Sequence, residues 1–166
     1  MNKALVTAVP GQPIISIERT FDAPPGRLFT ALTQKSQLEK WWIGPGYQCR
    51  VEYIDPRTGG SWKFVLSGKD GPSFTFHGSF HEVSPRCIVQ TVEVDDPGEK
   101  GHVGLEKVEL VPWGKSQTKL RVTSAFLSVA DRDQRMANGM EEGLNQTYAR
   151  LDEVLNQTKG EENGDF

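Results

Sequence analysis

The sequence predicts a single α+β domain: a curved antiparallel sheet of about seven strands, two short helices, and one long C-terminal helix covering the sheet. Three observations predict it. The apolar period is two over most of the chain and changes to steps of three and four after Ser128. Turn residues separate the strand-like runs at intervals too short for the crossovers that parallel pairing requires. The order of elements is strand, two short helices, further strands, long helix, which is an α+β order and not βαβ.

Residues 1–12 carry Pro10 and Gly11 and are expected to form a flexible leader, with the domain over 13–158. Ile14 to Phe21 alternates, with Ile15, Ile17 and Phe21 on one face and Ser16, Glu18 and Thr20 on the other, which is a strand. Asp22-Ala23-Pro24-Pro25 stops it and opens a helix, since proline suits a first helical turn. Leu28, Phe29 and Leu32 form that helix's buried side. Thr33 is an N-cap candidate for a second short helix that presents Leu38, Trp41 and Trp42 and ends at Gly44-Pro45-Gly46.

Six strands follow, over 47–54, 61–67, 73–83, 87–94, 105–111 and 118–126. Turns are expected at 55–60, 69–72, 84–86 and 113–115, and a long exposed loop at 95–104. Ser128-Val129-Ala130-Asp131 has the shape of a capping box. Beyond it Met136, Met140, Leu144, Thr147, Tyr148, Leu151, Val154 and Leu155 form one stripe, with Asn138, Glu142 and Asn145 opposite. The stripe predicts one helix from Val129 to about Gln157, roughly 29 residues and about 43 Å long. Residues 159–166 read as a disordered acidic tail.

Composition excludes several function classes. The 166 residues are 36% hydrophobic and 25% charged, an ordinary globular balance. The net charge is −3 and the Lys and Arg residues are dispersed, so no basic face for nucleic acid is expected. No run approaches the ~20 apolar residues of a membrane span. The stretch Ala4 to Val9 is too short for a signal core, so a cytoplasmic location is expected. Cys49 and Cys87 make no C-x-x-C and read as buried free thiols, with a disulfide between them left open.

A series of motifs then carries a family resemblance. Ile17-Glu18-Arg19-Thr20-Phe21-Asp22-Ala23-Pro24, Leu28-Phe29-x-Ala31-Leu32 and Leu38-x-x-Trp41-Trp42 come first. Gly59-Gly60-Ser61-Trp62, the run Phe76 to Pro85, and Gly139-Met140-Glu141-Glu142-Gly143 follow in order. Over residues 12–157 the chain resembles the SRPBCC (START/Bet v 1-like) superfamily, in the branch of the C-terminal domain of the Hsp90 ATPase activator Aha1. The resemblance implies the helix-grip fold, with an apolar pocket between sheet and long helix. Relatives of this kind include ligand carriers and polyketide cyclase-like proteins. Many carry Trp after the second glycine, where this chain has Leu144.

The residues themselves point away from most catalytic chemistry. His77 and His81 lie on one face of a strand, about 13 Å apart, too far to share an ion. The paired C-x-H and C-x-x-H of iron-sulfur relatives are absent, so no metal and no cofactor are expected. There is no G-x-S-x-G and no phosphate loop. Arg19 is in phase with Ile17 and Phe21, and Glu82 with Phe76 and Phe80, so an inward Arg19–Glu82 contact would make physical sense; the bland reading, strand-end residues reaching solvent or a buried pair without chemistry, carries more weight.

Rings are the main functional signal. Most should fill the core, and some should border the space that a curled sheet leaves around a straight helix. Alternation and the helix stripe select Phe29, Trp42, Phe64, Phe76, Met136, Met140, Leu144 and Tyr148 as the ligand-binding wall. Gly139 and Gly143 interrupt a helix at about 1 kcal/mol each against Ala. Close packing or room for a ligand would explain them. Three functions fit: binding of a small apolar or aromatic ligand, a cyclase or hydrolase-like reaction, and, by family analogy alone, an Hsp90 interaction. The number of subunits is left open.

Overall fold

The computed structural model describes residues 2–44, 46–95, 102–137 and 139–162, with side chains as far as Gln157. Eight strands form one antiparallel sheet: β1 (Leu5–Ala8), β2 (Ile14–Phe21), β3 (Tyr47–Ile54), β4 (Ser61–Gly68), β5 (Phe74–Ser84), β6 (Cys87–Asp95), β7 (Val103–Trp113) and β8 (Gln117–Ala125). Four helices complete the domain: α1 (Pro25–Thr33), α2 (Lys35–Trp41), α3 (Val129–Met136) and α4 (Met140–Glu162). The spatial order is β1-β2-β8-β7-β6-β5-β4-β3, so β2 lies beside the last strand and the chain from β3 to β8 is a simple meander. The sheet is curved and unclosed, as the helix-grip expectation requires.

One strand was not expected. Leu5–Ala8 pairs with β2, from Leu5 opposite Glu18 to Ala8 opposite Ile15. Pro10 and Gly11 therefore close a hairpin within the supposed leader. Gly11 adopts φ 69°, and Val9 donates to the Ile14 carbonyl at 3.0 Å. Proline and glycine mark tight turns and loose chain alike, and four residues before them show too little alternation to decide. Arg132 of α3, itself buried, reaches this hairpin and donates to the Val9 carbonyl at 2.6 Å and to that of Gln12.

The C-terminal helix is also two helices. Ser128 caps α3 as its motif predicts, its hydroxyl accepting from the Asp131 amide at 3.1 Å. Ala137 leaves helical geometry and Gly139 takes φ 77°, a left-handed conformation that favours glycine. The break marked by Ala137 and Gly139 separates the phase of α3 from that of α4. Asn138, Pro45, the loop positions 96–101 and the tail positions 163–166 lie outside the described residues. Thr33 does not cap α2. Its hydroxyl donates back to the Phe29 carbonyl at 2.8 Å, and Gln34 stands at the helix start.

The core lies between the concave sheet face and the helices. Ile15, Phe21, Leu28, Val51, Leu120, Leu151 and Leu155 are fully enclosed there. The Trp41 indole N–H donates to the Ala31 carbonyl at 2.8 Å and locks α2 against α1. Polar contacts fix α4 in place: the Asn145 side-chain oxygen accepts from the Ala4 amide at 2.9 Å, and Arg150 donates to the Ile43 carbonyl, between α2 and β3, at 2.6 Å. Cys49 and Cys87 are both free, and burial pushes the Cys49 thiol up to about 12.

Candidate functional site: an apolar cavity with a polar floor

A cavity of about 570 Å³ lies between α4 and the concave face of the sheet. Its walls follow from the two-residue repeat of strands. Trp62, Phe64 and Leu66 come from β4, Ile88, Gln90 and Val92 from β6, and Gly104, Glu106 and Val108 from β7. From α4 come Met140, Gly143, Leu144, Thr147 and Tyr148, one face of 3.6-residue turns.

Trp42, at the end of α2, organises the aromatic wall. Its ring meets Phe64 edge-on at 4.8 Å between centroids and Phe76 edge-on at 4.9 Å. Phe64 and Phe76 are direct partners across β4 and β5, so Trp42 sits over a cross-strand pair. Trp62 lies 4.8 Å from Phe64 and is paired with Gly78. A Cβ at Gly78 would come within 1.8 Å of the Thr91 carbonyl oxygen and 2.9 Å of the Trp62 ring, so glycine alone lets this ring lie flat on the sheet.

Six of the eight expected wall residues line the cavity: Trp42, Phe64, Phe76, Met140, Leu144 and Tyr148. Phe29 and Met136 pack against the core away from it. Leu32, not Phe29, is the α1 residue that reaches the cavity. The α4 stripe reaches Met136 only if the helix runs unbroken through Gly139; with the break there, Arg135 lines the cavity instead. Gly143 leaves space: a Cβ at Gly143 or Gly139 would meet nothing within 4 Å, so close packing explains neither glycine.

Arg19 and Glu82 do not meet. Arg19 does point inward, over the Phe21 ring at 4.4 Å. Its partner is Asp152 of α4, reached through both terminal nitrogens at 2.8 and 2.5 Å. Glu82 is exposed because the β5–β6 register slips between Phe80 and Glu82, and that bulge reverses the alternation after Phe80.

The cavity also holds polar groups beside the aromatic wall. Glu106 is in phase with Val108 and Leu110, and its two register partners are Gln90 on β6 and Ser124 on β8. Gln90 donates to one Glu106 oxygen at 3.0 Å, and the Ser124 hydroxyl lies 3.5 Å from the other. A glutamate in the inward phase of Val108 and Leu110 is the available sequence signal. Burial pushes the Glu106 carboxyl above the usual range, against the Gln90 bond and the charge of Arg135. Burial likewise lowers Arg135, with Glu106 opposing, and raises the Tyr148 phenol.

A carboxyl raised in the folded state adds its full stabilisation below the ordinary carboxylate range, and that contribution is lost as pH rises through the raised folded value. The groups facing it are Gln90, Ser124, Arg135 and Tyr148. Urea unfolding between pH 4 and 8 should therefore show wild type losing more stability with rising pH than Glu106→Gln. Parallel pH profiles would contradict this.

Among the described residues no three His, Cys, Asp or Glu side chains are placed to hold a metal ion. His77 faces Glu93 at 3.5 Å, and His81 is exposed. No described helix is long and apolar enough to cross a membrane.

Solved structures share this architecture. A Rhodobacter sphaeroides protein superposes with a TM-score of 0.85 at 22% identity, covering 93% of this chain and 99% of its own. An Arthrobacter aurescens protein gives 0.82 at 24% identity, covering 92% and 91%. The AHSA1 protein of Silicibacter pomeroyi gives 0.71 at 21%, covering 87% and 99%. No curated protein matches. The model of one family, described as activator of Hsp90 ATPase homolog 1-like protein, matches residues 22–156, and the chain belongs to that family.

Proposed function

We propose that the protein binds a small apolar or aromatic molecule between α4 and the sheet. The observation that carries this reading is the cavity itself, about 570 Å³ and walled by Trp42, Phe64 and Phe76. Protein interiors are packed to crystal density and keep few voids larger than a water molecule. Ligand sites of roughly 300–1,000 Å³ with mostly apolar walls and a few polar groups are the usual exception. A dry cavity of about 150 Å³ is already enough to take up benzene. Gly143 and Leu144 keep the α4 side of the space open where larger side chains would close it.

Native mass spectrometry of the purified protein tests for a retained molecule, and a thermal-shift screen with bicyclic aromatics tests for uptake. A binding compound at tenfold excess over its Kd should stabilise the fold by about 1.4 kcal/mol. A flat response across the screen, with no retained mass, would contradict the reading.

Glu106 supports a second reading. A buried carboxyl of raised pKa inside a cavity is a common arrangement for acid–base work, as a cyclase or hydrolase-like reaction would need. Turnover of a bound compound that disappears in Glu106→Gln would establish it. Binding without turnover would leave the protein a carrier.

A further inference from the structure

Arg135 and Glu106 line the same cavity but form no ion pair, and no described carboxylate lies within ion-pair distance of Arg135. Arg135 is half-buried, and its guanidinium has five N–H donors that an acceptor in the cavity can pair. Glu106 is already held at both oxygens by groups that donate, Gln90 at 3.0 Å and Ser124 at 3.5 Å. Arg135 therefore brings donors and a positive charge to the cavity lining, whereas Trp42, Phe64 and Phe76 bring aromatic faces and edges. An amine would meet Arg135 with like charge. A neutral hydrocarbon would leave Arg135 without a partner.

We infer that the ligand is an aromatic acid, with rings against Trp42, Phe64 and Phe76 and an anionic oxygen, carboxylate or acidic phenol, on Arg135 beside Glu106. The inference rests on the binding reading above and names the ligand class for that same cavity. Burial raises the Glu106 carboxyl, which weakens its repulsion of a neighbouring anionic oxygen. Neither residue belongs to the aromatic wall, so ring binding and acid recognition can be measured apart.

The test is titration calorimetry at pH 7 with three probes of one ring system: 2-naphthoate, 2-methylnaphthalene and 2-naphthylmethylamine. Naphthoate should bind at least about tenfold tighter than methylnaphthalene, the size expected of a charge-assisted hydrogen bond, with the amine weakest. In Arg135→Met the preference should fall below about threefold, as one such bond is removed. Arg135→Gln supplies the same comparison if the Met variant does not fold, and Arg135→Lys should retain part of the preference. Methylnaphthalene binding as tightly as naphthoate, or an Arg135 variant with its preference intact, overturns the inference and leaves the binding reading standing. Failure of all three probes to bind overturns the inference, and the binding reading falls with it only where the screen is flat and no mass is retained.

Discussion

Leu151→Ala is expected to lower the unfolding free energy by about 2–5 kcal/mol, the range for truncating a fully buried leucine. Leu151 is 0% exposed at the centre of the α4 stripe, where the helix rests on the sheet. The loss has two parts: the apolar surface no longer buried, and the void left where neighbours cannot collapse. Relaxation is restricted here, because Asn145, Arg150 and Asp152 tie α4 to Ala4, Ile43 and Arg19 on either side. Urea unfolding of wild type and variant, at equal m-value, reads the difference directly. A loss below about 0.5 kcal/mol would be a surface value and would contradict the packing of α4 on the sheet.

The stripe that places Leu151 was legible because it spans several helical turns with no interruption. Tyr148, Leu151, Val154 and Leu155 are all buried, as the 100° repeat requires. The same repeat misplaced Met136, since one glycine in a left-handed conformation breaks the phase without disturbing the apolar spacing. Two short periodic segments on either side of a break look in sequence like one long segment. The S-x-x-D cap at Ser128 was readable because capping is local chemistry: a hydroxyl and an amide three residues on.

The strands show the same division. Trp62, Phe64 and Phe76 face inward as alternation predicts, because no bulge interrupts their pairing from Ser61 to Leu66. Glu82 lies beyond a one-residue slip, and a slip turns every later side chain to the other face. No residue type announces such a bulge. The polar floor was hidden for another reason. Glu106 sits among Leu105, Lys107 and Glu109, a run that reads as a solvated strand face until Val108 and Leu110 are used to set the phase. Its partners Gln90 and Ser124 are distant in sequence and meet only through strand register. Arg135 joins them only because of the helix break.

Leu144→Trp is expected to weaken binding of an apolar probe such as 2-methylnaphthalene on the order of a hundredfold, about 2.7 kcal/mol, while the fold is kept. Leu144 lines the cavity on the α4 side, next to Gly143, where an added Cβ would meet nothing within 4 Å. An indole at this position extends into the cavity that Leu144 lines. The unliganded variant should therefore melt at the wild-type temperature or above it, since added apolar surface is buried. A ligand must then share the cavity with a second ring system, and forcing extra atoms into a filled site costs about 1–3 kcal/mol. Calorimetry on both proteins, with melting temperatures measured beside it, separates the two effects. Weaker binding with a sharply lowered melting temperature would mean that the indole disrupts the core instead of filling a cavity. Equal affinity at an unchanged melting temperature would place Leu144 outside the site, and the ligand would then lie deeper against the sheet.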